Sequence, residues 1–165
     1  MRMFRNRRGY TVTELMMVVA IIGILATVAP TMLIQMQNFF LMTSARYEIQ
    51  RDARTTLDTV NRYMRQAVAT TVVMDTPAGQ GPFSRIRFRH VDGRYMEFRQ
   101  EGSKLIQVID TAQSVVSNNL IYIAFTYPHT DDISIVSVSI TMGKNIQLGR
   151  RKVLELTIQK IRVMN

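Results

Sequence analysis

The sequence predicts an α+β fold in which one long N-terminal helix packs on a C-terminal antiparallel β-sheet. From Leu15 until Arg46 no side chain is charged, so the apolar run is long enough to cross a bilayer. A segment whose apolar residues recur every three or four positions follows that run. Beyond Pro82 the hydrophobic pattern changes to a period of two. We therefore expect a helix that spans a membrane in its first half, and a β-rich domain after it.

The flanks of the apolar run predict its orientation. Four arginines precede it, and positive residues next to a span stay in the cytoplasm. Everything after Ile34 is then expected on the far side of the membrane. An ordinary secretory signal has an apolar core of about 7–15 residues, whereas this run continues well past that length. The prediction is a single-pass membrane protein with a cytoplasmic N-terminus.

Glu14 lies at the edge of the apolar run. Moving about 20 apolar residues into hydrocarbon is favourable as a sum. One ionised carboxylate near the edge opposes that transfer by roughly 2.5–3.5 kcal/mol. We therefore expect Glu14 to have a partner that compensates its charge.

The N-terminal segment combines four features at fixed spacing: a short basic leader, Gly9, an aromatic residue directly after it, and Glu14 five residues beyond Gly9. With the apolar helix that follows, this pattern resembles the class III signal of type IV pilins and pseudopilins. The resemblance implies that a prepilin peptidase recognises Arg7, Arg8 and Gly9 and cuts after the glycine. It also implies that the mature chain begins at Tyr10, whose new amine is methylated. Residues 1–9 hold four of the 21 basic side chains, so cleavage lowers the formal charge from +9 to +5.

The resemblance also implies a partner for Glu14. In that family the acid pairs with the N-terminal amine of a neighbouring subunit, here Tyr10, which neutralises both charges and fixes the axial register. The implied partners are other pilin or pseudopilin subunits, the prepilin peptidase and the bacterial inner membrane, which the chain leaves for a filament. Two residues depart from the usual family pattern. Tyr10 stands where Phe is usual, and Pro30 falls one residue early; both departures fit a minor subunit.

The resemblance implies a pilin-like organisation of the whole chain. We expect one helix from Thr11 to about Thr70, bent near Pro30, where it can melt locally in a filament. The predicted divisions are a cleaved leader (1–9), a transmembrane and assembly helix (10–34), an amphipathic continuation (35–70) and a β-rich head (71–165). The apolar stripe that should dock the continuation on the head consists of Ile49, Ala53, Leu57, Val60, Met64, Ala67 and Val68.

Five or so antiparallel strands are predicted in the head. The first two form a hairpin whose three-residue turn places Gly93 in the left-handed conformation, so that Phe88 lies opposite Met96 and Ile86 opposite Phe98. The predicted loops are a Pro- and Gly-rich segment (72–82), a polar irregular segment (110–119) and a basic segment (143–151). The remaining strands are expected over 104–109, 120–127, 133–142 and 153–163.

The length of the head and the ending Arg162-Val-Met-Asn165 resemble J-type minor pseudopilins of type II secretion and related larger minor pilins. Our principal hypothesis is a structural subunit that joins a type II secretion pseudopilus, or the initiation complex of a type IV pilus, through its helix. Glu14 argues against the extreme tip subunit, which tends to lack that acid. The type of filament is not specified by the sequence.

Two alternatives stay open. Arg85, Arg87 and Arg89 alternate along one strand and suggest a competence-type minor pilin whose basic head captures DNA. Alternating arginines also suit a solvated sheet face, and no series of exposed aromatics accompanies Tyr95. The second alternative is an unprocessed membrane protein with a β-rich sensor head, which would keep residues 1–9.

Catalytic and metal-binding patterns are absent from the sequence. With no cysteine, disulfides, thiol chemistry and cysteine metal sites are excluded. Asp131 and Asp132 stand beside His129, but Ca²⁺ needs about six to eight oxygen ligands and two adjacent acids usually form a turn. We read His90 as the end of a strand. We therefore predict no enzyme activity, no cofactor and no metal site.

Overall fold

A computed structural model describes residues 9–129, 132–146 and 150–163. The chain divides into two units, Met1–Leu41 and Met42–Asn165. Helix α1 extends over Val12–Met64 and is followed by antiparallel β-strands. The predicted fold class, a long apolar N-terminal helix packed on antiparallel β-structure, is confirmed.

Helix α1 buries one stripe of side chains in the second unit. Leu57, which we expected in this stripe, is only half-buried, and Thr56 is buried in its place. Residues three or four positions apart lie on one face of a helix. Thr56 is three residues after Ala53 and therefore lies on the buried face. The buried positions are Ala45, Ile49, Ala53, Thr56, Val60 and Met64.

The helix ends at Met64, earlier than the predicted end near Thr70. Ala67 forms an isolated antiparallel bridge with His90, and the N–H of Val68 donates to the carbonyl of Arg89 at 2.9 Å. These backbone groups therefore pair with a strand and are not available for a further helical turn. A short 3₁₀ helix, Ala69–Thr71, follows.

Two sheets form the head. A five-stranded sheet has its strands in sequence order: β1 (Val73–Asp75), β2 (Arg85–Arg89), β3 (Tyr95–Glu101), β4 (Lys104–Ile109) and β5 (Ala112–Ser117). A three-stranded sheet contains β6 (Leu120–Thr126), β7 (Ile135–Ile146) and β8 (Arg150–Arg162). All pairings are antiparallel.

The predicted hairpin register is confirmed. Phe88 lies opposite Met96 and Ile86 opposite Phe98, and Gly93 has a φ of 90° in the three-residue turn. Only a residue without a Cβ adopts that backbone at little cost. The apolar side chains of β2 and β3 therefore share one face, which points into the core.

Three predicted loops are wrong in whole or in part. Strand β1 lies within the predicted loop 72–82, and the segment 110–119 contains strand β5. The predicted loop 143–151 is mostly strand, because β7 continues to Ile146 and β8 begins at Arg150. Backbone pairing does not require apolar side chains, and strands that are partly exposed give a weak hydrophobic signal. The described residues therefore form eight strands in two sheets, where we predicted about five in one.

One hydrophobic core joins the helix to both sheets. Its largest buried side chains are Phe88 and Phe98 in the first sheet and Phe125 in the second. The rings of Phe88 and Phe98 stack at a centroid distance of 6.4 Å. Each fully buried side chain of this size contributes roughly 1.5–3 kcal/mol. Since the sequence has no cysteine, the head depends on this packing for its stability.

Candidate functional site

The predicted cleavage site lies just before helix α1. Gly9 and Tyr10 are both exposed, and the side chain of Tyr10 is 89% accessible. A Cβ added at Gly9 would meet no atom within 4 Å. Arg7 and Arg8, predicted to be recognised with Gly9, lie outside the described residues. Among the described residues, nothing packs against Gly9, and Tyr10 is exposed.

Glu14 caps the helix to which it belongs. Thr11 directly precedes the first helical residue, and its backbone N–H donates to Oε2 of Glu14 at 3.2 Å. In return the N–H of Glu14 donates to Oγ1 of Thr11 at 3.3 Å. This reciprocal arrangement is a capping box, which satisfies two backbone donors at the start of a helix. The Thr-x-x-Glu spacing is visible in the sequence, and our sequence analysis missed it.

The N-terminal part of α1 exposes its entire apolar surface. Every residue from 9 to 44 is exposed, including Phe39 and Phe40, each 71% accessible. By length and composition, α1 is the one helix among the described residues that can cross a membrane, with a mean hydropathy of 2.4 in its most apolar window. Exposed apolar area of this extent requires lipid or protein around it.

Pro30 lies inside α1 without ending it. Proline has no N–H, so the helix loses one hydrogen bond at this position. The hydroxyls of Thr27 and Thr31 donate to the carbonyls of Ile24 and Val28, at 2.8 and 2.7 Å. The bend and local melting at Pro30 stay predictions.

Two of the three arginines suggested for DNA contact bind one carboxylate. The guanidinium of Arg85 donates to both carboxylate oxygens of Asp75, at 2.5 and 2.6 Å. Arg87 Nη2 donates to Asp75 Oδ2 at 2.6 Å. The hydrogen bond from Arg85 holds the pKa of Asp75 below its ordinary value. The third, Arg89, is exposed.

Carboxylates also compensate positive charge on the neighbouring strand β3. Glu97 lies opposite Arg87 in the β2–β3 ladder and is 7% exposed. Arg99 contacts Glu97 at 3.0 Å and Glu101 at 2.7 Å. The hydroxyl of Tyr95 donates to Glu97 at 2.8 Å, and burial raises the pKa of Tyr95. This face of the sheet therefore combines arginines with acids in partly buried ion pairs.

The suggested calcium residues form an ordinary turn where they are described. Asp132 accepts hydrogen bonds from the N–H and hydroxyl of Ser134, at 2.9 and 2.5 Å, and these bonds lower its pKa. Asp131 lies outside the described residues. His90, which we read as the end of a strand, forms the isolated backbone bridge with Ala67. Its side-chain Nε2 lies 2.6 Å from Gln66 Oε1. Within the described segments, no group of three or more potential ligands is placed to hold a metal ion.

Comparison with known proteins identifies the N-terminal segment. Residues 4–30 match the prokaryotic N-terminal methylation motif, over a range that includes Gly9, Glu14 and Pro30. The chain therefore carries an N-methylation motif at the start of a pilin-like α+β fold. A comparison with curated proteins gives no match.

The motif is that of the type IV pilin and pseudopilin family. Proteins of this family are structural and generally non-enzymatic, are processed by prepilin peptidase and assemble with other pilin subunits. The motif and the apolar helix are consistent with residence in the inner membrane and then in a pilus.

Proposed function

We propose that this protein is a minor pseudopilin or minor pilin that assembles through its N-terminal helix into a type II secretion pseudopilus or the initiation complex of a type IV pilus. The main support is a helix that has Glu14 in its first turn and leaves its side chains exposed as far as residue 44. The shifted position of Pro30, and Tyr10 in place of Phe, support a minor subunit.

Maturation prepares the helix for assembly in this proposal. Prepilin peptidase recognises Arg7, Arg8 and Gly9, cuts before Tyr10, and the new amine is methylated. The amine carries a positive charge. In the membrane, where charges interact strongly, Glu14 of the adjacent subunit neutralises it.

The capping box makes the role of the charge testable. Because Thr11 donates to Oε2 of Glu14, the carboxylate proposed for intersubunit pairing also caps its own helix. A glutamine at this position keeps the acceptor oxygen for Thr11 and removes the charge. Comparing Glu14→Gln with Glu14→Ala therefore separates helix capping from intersubunit charge pairing.

The experiment expresses each variant with the other subunits of its filament and measures incorporation by cross-linking. We expect Glu14→Gln to be as defective as Glu14→Ala. If Glu14→Gln assembles and cross-links like the wild type, the charge-pairing role is wrong. Mass spectrometry of the wild-type N-terminus provides the second measurement. A methylated chain starting at Tyr10 is expected, and an intact leader would instead favour the unprocessed membrane protein.

A further inference from the structure

The outward face of helix α1 in the second unit carries mainly positive charge. We call it the basic stripe, and it contains Arg51, Arg54, Asp58, Arg62 and Arg65. All five are exposed and recur every three or four residues, so they form one line along the helix. Tyr47, 70% exposed, begins the same line.

The acids nearest to the stripe face the head. Glu48 forms an ion pair with Lys144 in β7, and Asp52 accepts a hydrogen bond from Asn119 Nδ2 at 2.7 Å. Both acids are half-buried. Their charges therefore contribute to the contact between helix and sheet, and the opposite face keeps its excess of arginine.

The arginines of the stripe are only partly compensated. Arg62 pairs with Asp58 at 3.4 Å, but Arg51 lies 3.8 Å from Asp52, and Arg65 donates to the neutral amide of Asn61. Arg54 contacts no carboxylate among the side chains that the structure describes. It lies with Arg51 and Tyr47 around a shallow groove of about 170 Å³. Arginine and tyrosine are the residue types that dominate the binding energy of protein interfaces.

A second copy of the chain is a poor partner for this stripe, because the chain without residues 1–9 still carries a formal charge of +5. Docking another copy here would bring two basic proteins together, which is unfavourable. Each carboxylate whose side chain is described also has a hydrogen-bond donor or a cation beside it in its own chain. The paired acids are Glu14, Glu48, Asp52, Asp58, Asp75, Asp92, Glu97, Glu101, Asp110 and Asp132.

We propose that the basic stripe docks an acidic face of a different subunit in a hetero-oligomeric filament. This inference rests on the proposed function. It adds that charge on the second half of the helix determines which subunit binds beside it. Complementary charge speeds association and excludes partners of like charge. Salt weakens such contacts, because the Debye length falls to about 3 Å at 1 M ionic strength.

The test places a photo-cross-linker at Thr55, an exposed residue of the groove, in the full chain expressed with its filament subunits. We expect a cross-link to a different subunit through an acidic surface. The double variant Arg51→Glu/Arg54→Glu should lower the yield by roughly tenfold, since interfacial charges of like sign repel. Reversing the charge of the contacted acids in the partner should restore it. Lys160→Glu, at an exposed position of β8, is the matched control and should leave the yield unchanged.

Several outcomes would overturn the inference. They are an unchanged yield in the double variant, a cross-link between two copies of this chain, and a product with lipid or DNA. The double variant Arg51→Ala/Arg54→Ala repeats the measurement without introducing acids, in case charge reversal impairs folding. N-terminal processing is followed in the same samples. If the wild type is neither cut at Gly9 nor incorporated into the filament, the proposed function fails. If the wild type is cut and incorporated, but the cross-linking yield does not depend on Arg51 and Arg54, only this inference fails.

Discussion

At the scale of single residues, Asp75 connects the short edge strand β1 to β2. Its carboxylate binds the guanidinium groups of both Arg85 and Arg87. The three side chains are only partly exposed, so water screens the pair less than it would a fully exposed one. The arginines stand out in the sequence, whereas Asp75 lies in the predicted loop 72–82 and was therefore not expected as their partner.

We expect Asp75 to make folding sensitive to acid. The pKa of Asp75 is lowered from its ordinary 3.8, chiefly by the hydrogen bond from Arg85. A lowered pKa in the folded state means that the stabilisation is complete above the unfolded pKa and is lost as pH falls through the folded one. Asp75→Asn should lower the free energy of unfolding at pH 7 by about 1–2 kcal/mol. The difference from wild type should shrink as pH drops below 3.8 and disappear once the pH is below the pKa of Asp75 in the folded state.

Urea unfolding of the detergent-solubilised chain at several pH values measures this effect. Asp58→Asn is the matched control, since Asp58 pairs with Arg62 in an exposed position. Exposed pairs contribute only about 0.2–1 kcal/mol. Equal losses for the two variants at pH 7, or an Asp75 effect that persists in acid, would contradict the assignment.

At the scale of elements, the loop between β1 and β2 packs against the second sheet. The hydroxyl of Tyr122 in β6 donates to the carbonyl of Pro82 at 2.6 Å. The ring of Tyr122 occupies the space where a side chain at Gly81 would begin. The absence of a Cβ at Gly81 therefore permits contact between loop and sheet.

The close approach predicts that Gly81→Ala destabilises the head. The new methyl group would overlap the ring of Tyr122, and overpacking of this kind costs about 1–3 kcal/mol. A double-mutant cycle checks the cause, measured as unfolding free energies. In a Tyr122→Ala background, Gly81→Ala should have little further effect, because the ring is gone. A similar loss in both backgrounds would mean that the backbone conformation at Gly81, and not Tyr122, excludes alanine.

The strands that were predicted correctly are those whose buried face gives the sequence an alternating apolar pattern. In β7, Val136, Val138, Ile140 and Met142 all face the core, and their alternation predicted the strand. In β5, the first four positions are exposed, so polar side chains there carry no alternating pattern. Strand β5 forms through backbone pairing with β4, which leaves little trace in side-chain type.

The same reasoning applies to the candidate site. The leader, Gly9, Tyr10 and Glu14 form a local pattern, and the motif match over residues 4–30 includes all of it from Phe4 onward. The roles of these residues stay predictions from the resemblance that the pattern carries. The partners of Arg85 and Arg87 depend on which strands become neighbours, so local spacing did not predict them. Recognising the basic stripe requires both the local spacing of its residues and the contacts of the folded head. Its spacing is local, but the burial of Glu48 and Asp52 on the opposite side depends on the packed head.

At the scale of the whole molecule, positive charge is concentrated in segments with different roles. Four of the 21 basic residues belong to the predicted leader and would be lost in the predicted cleavage. On the sheet, Arg85, Arg87 and Arg99 are bound by acids. In the basic stripe, Arg51 and Arg62 each lie near one carboxylate, whereas Arg54 contacts none among the described side chains. A nucleic-acid function for the sheet arginines would therefore have to compete with existing ion pairs.

This distribution predicts how the mature chain should respond to DNA. A formal charge of +5 gives weak, non-specific retention at low salt, whichever arginines supply it. Arg87→Ala/Arg89→Ala should lower DNA retention no more than Arg51→Ala/Arg54→Ala, because each variant removes two positive charges. Retention on immobilised duplex DNA over a salt series measures both. Selective loss with Arg87→Ala/Arg89→Ala would instead identify the groove of about 230 Å³ beside Tyr95 as a phosphate contact, and would favour the DNA-capturing alternative.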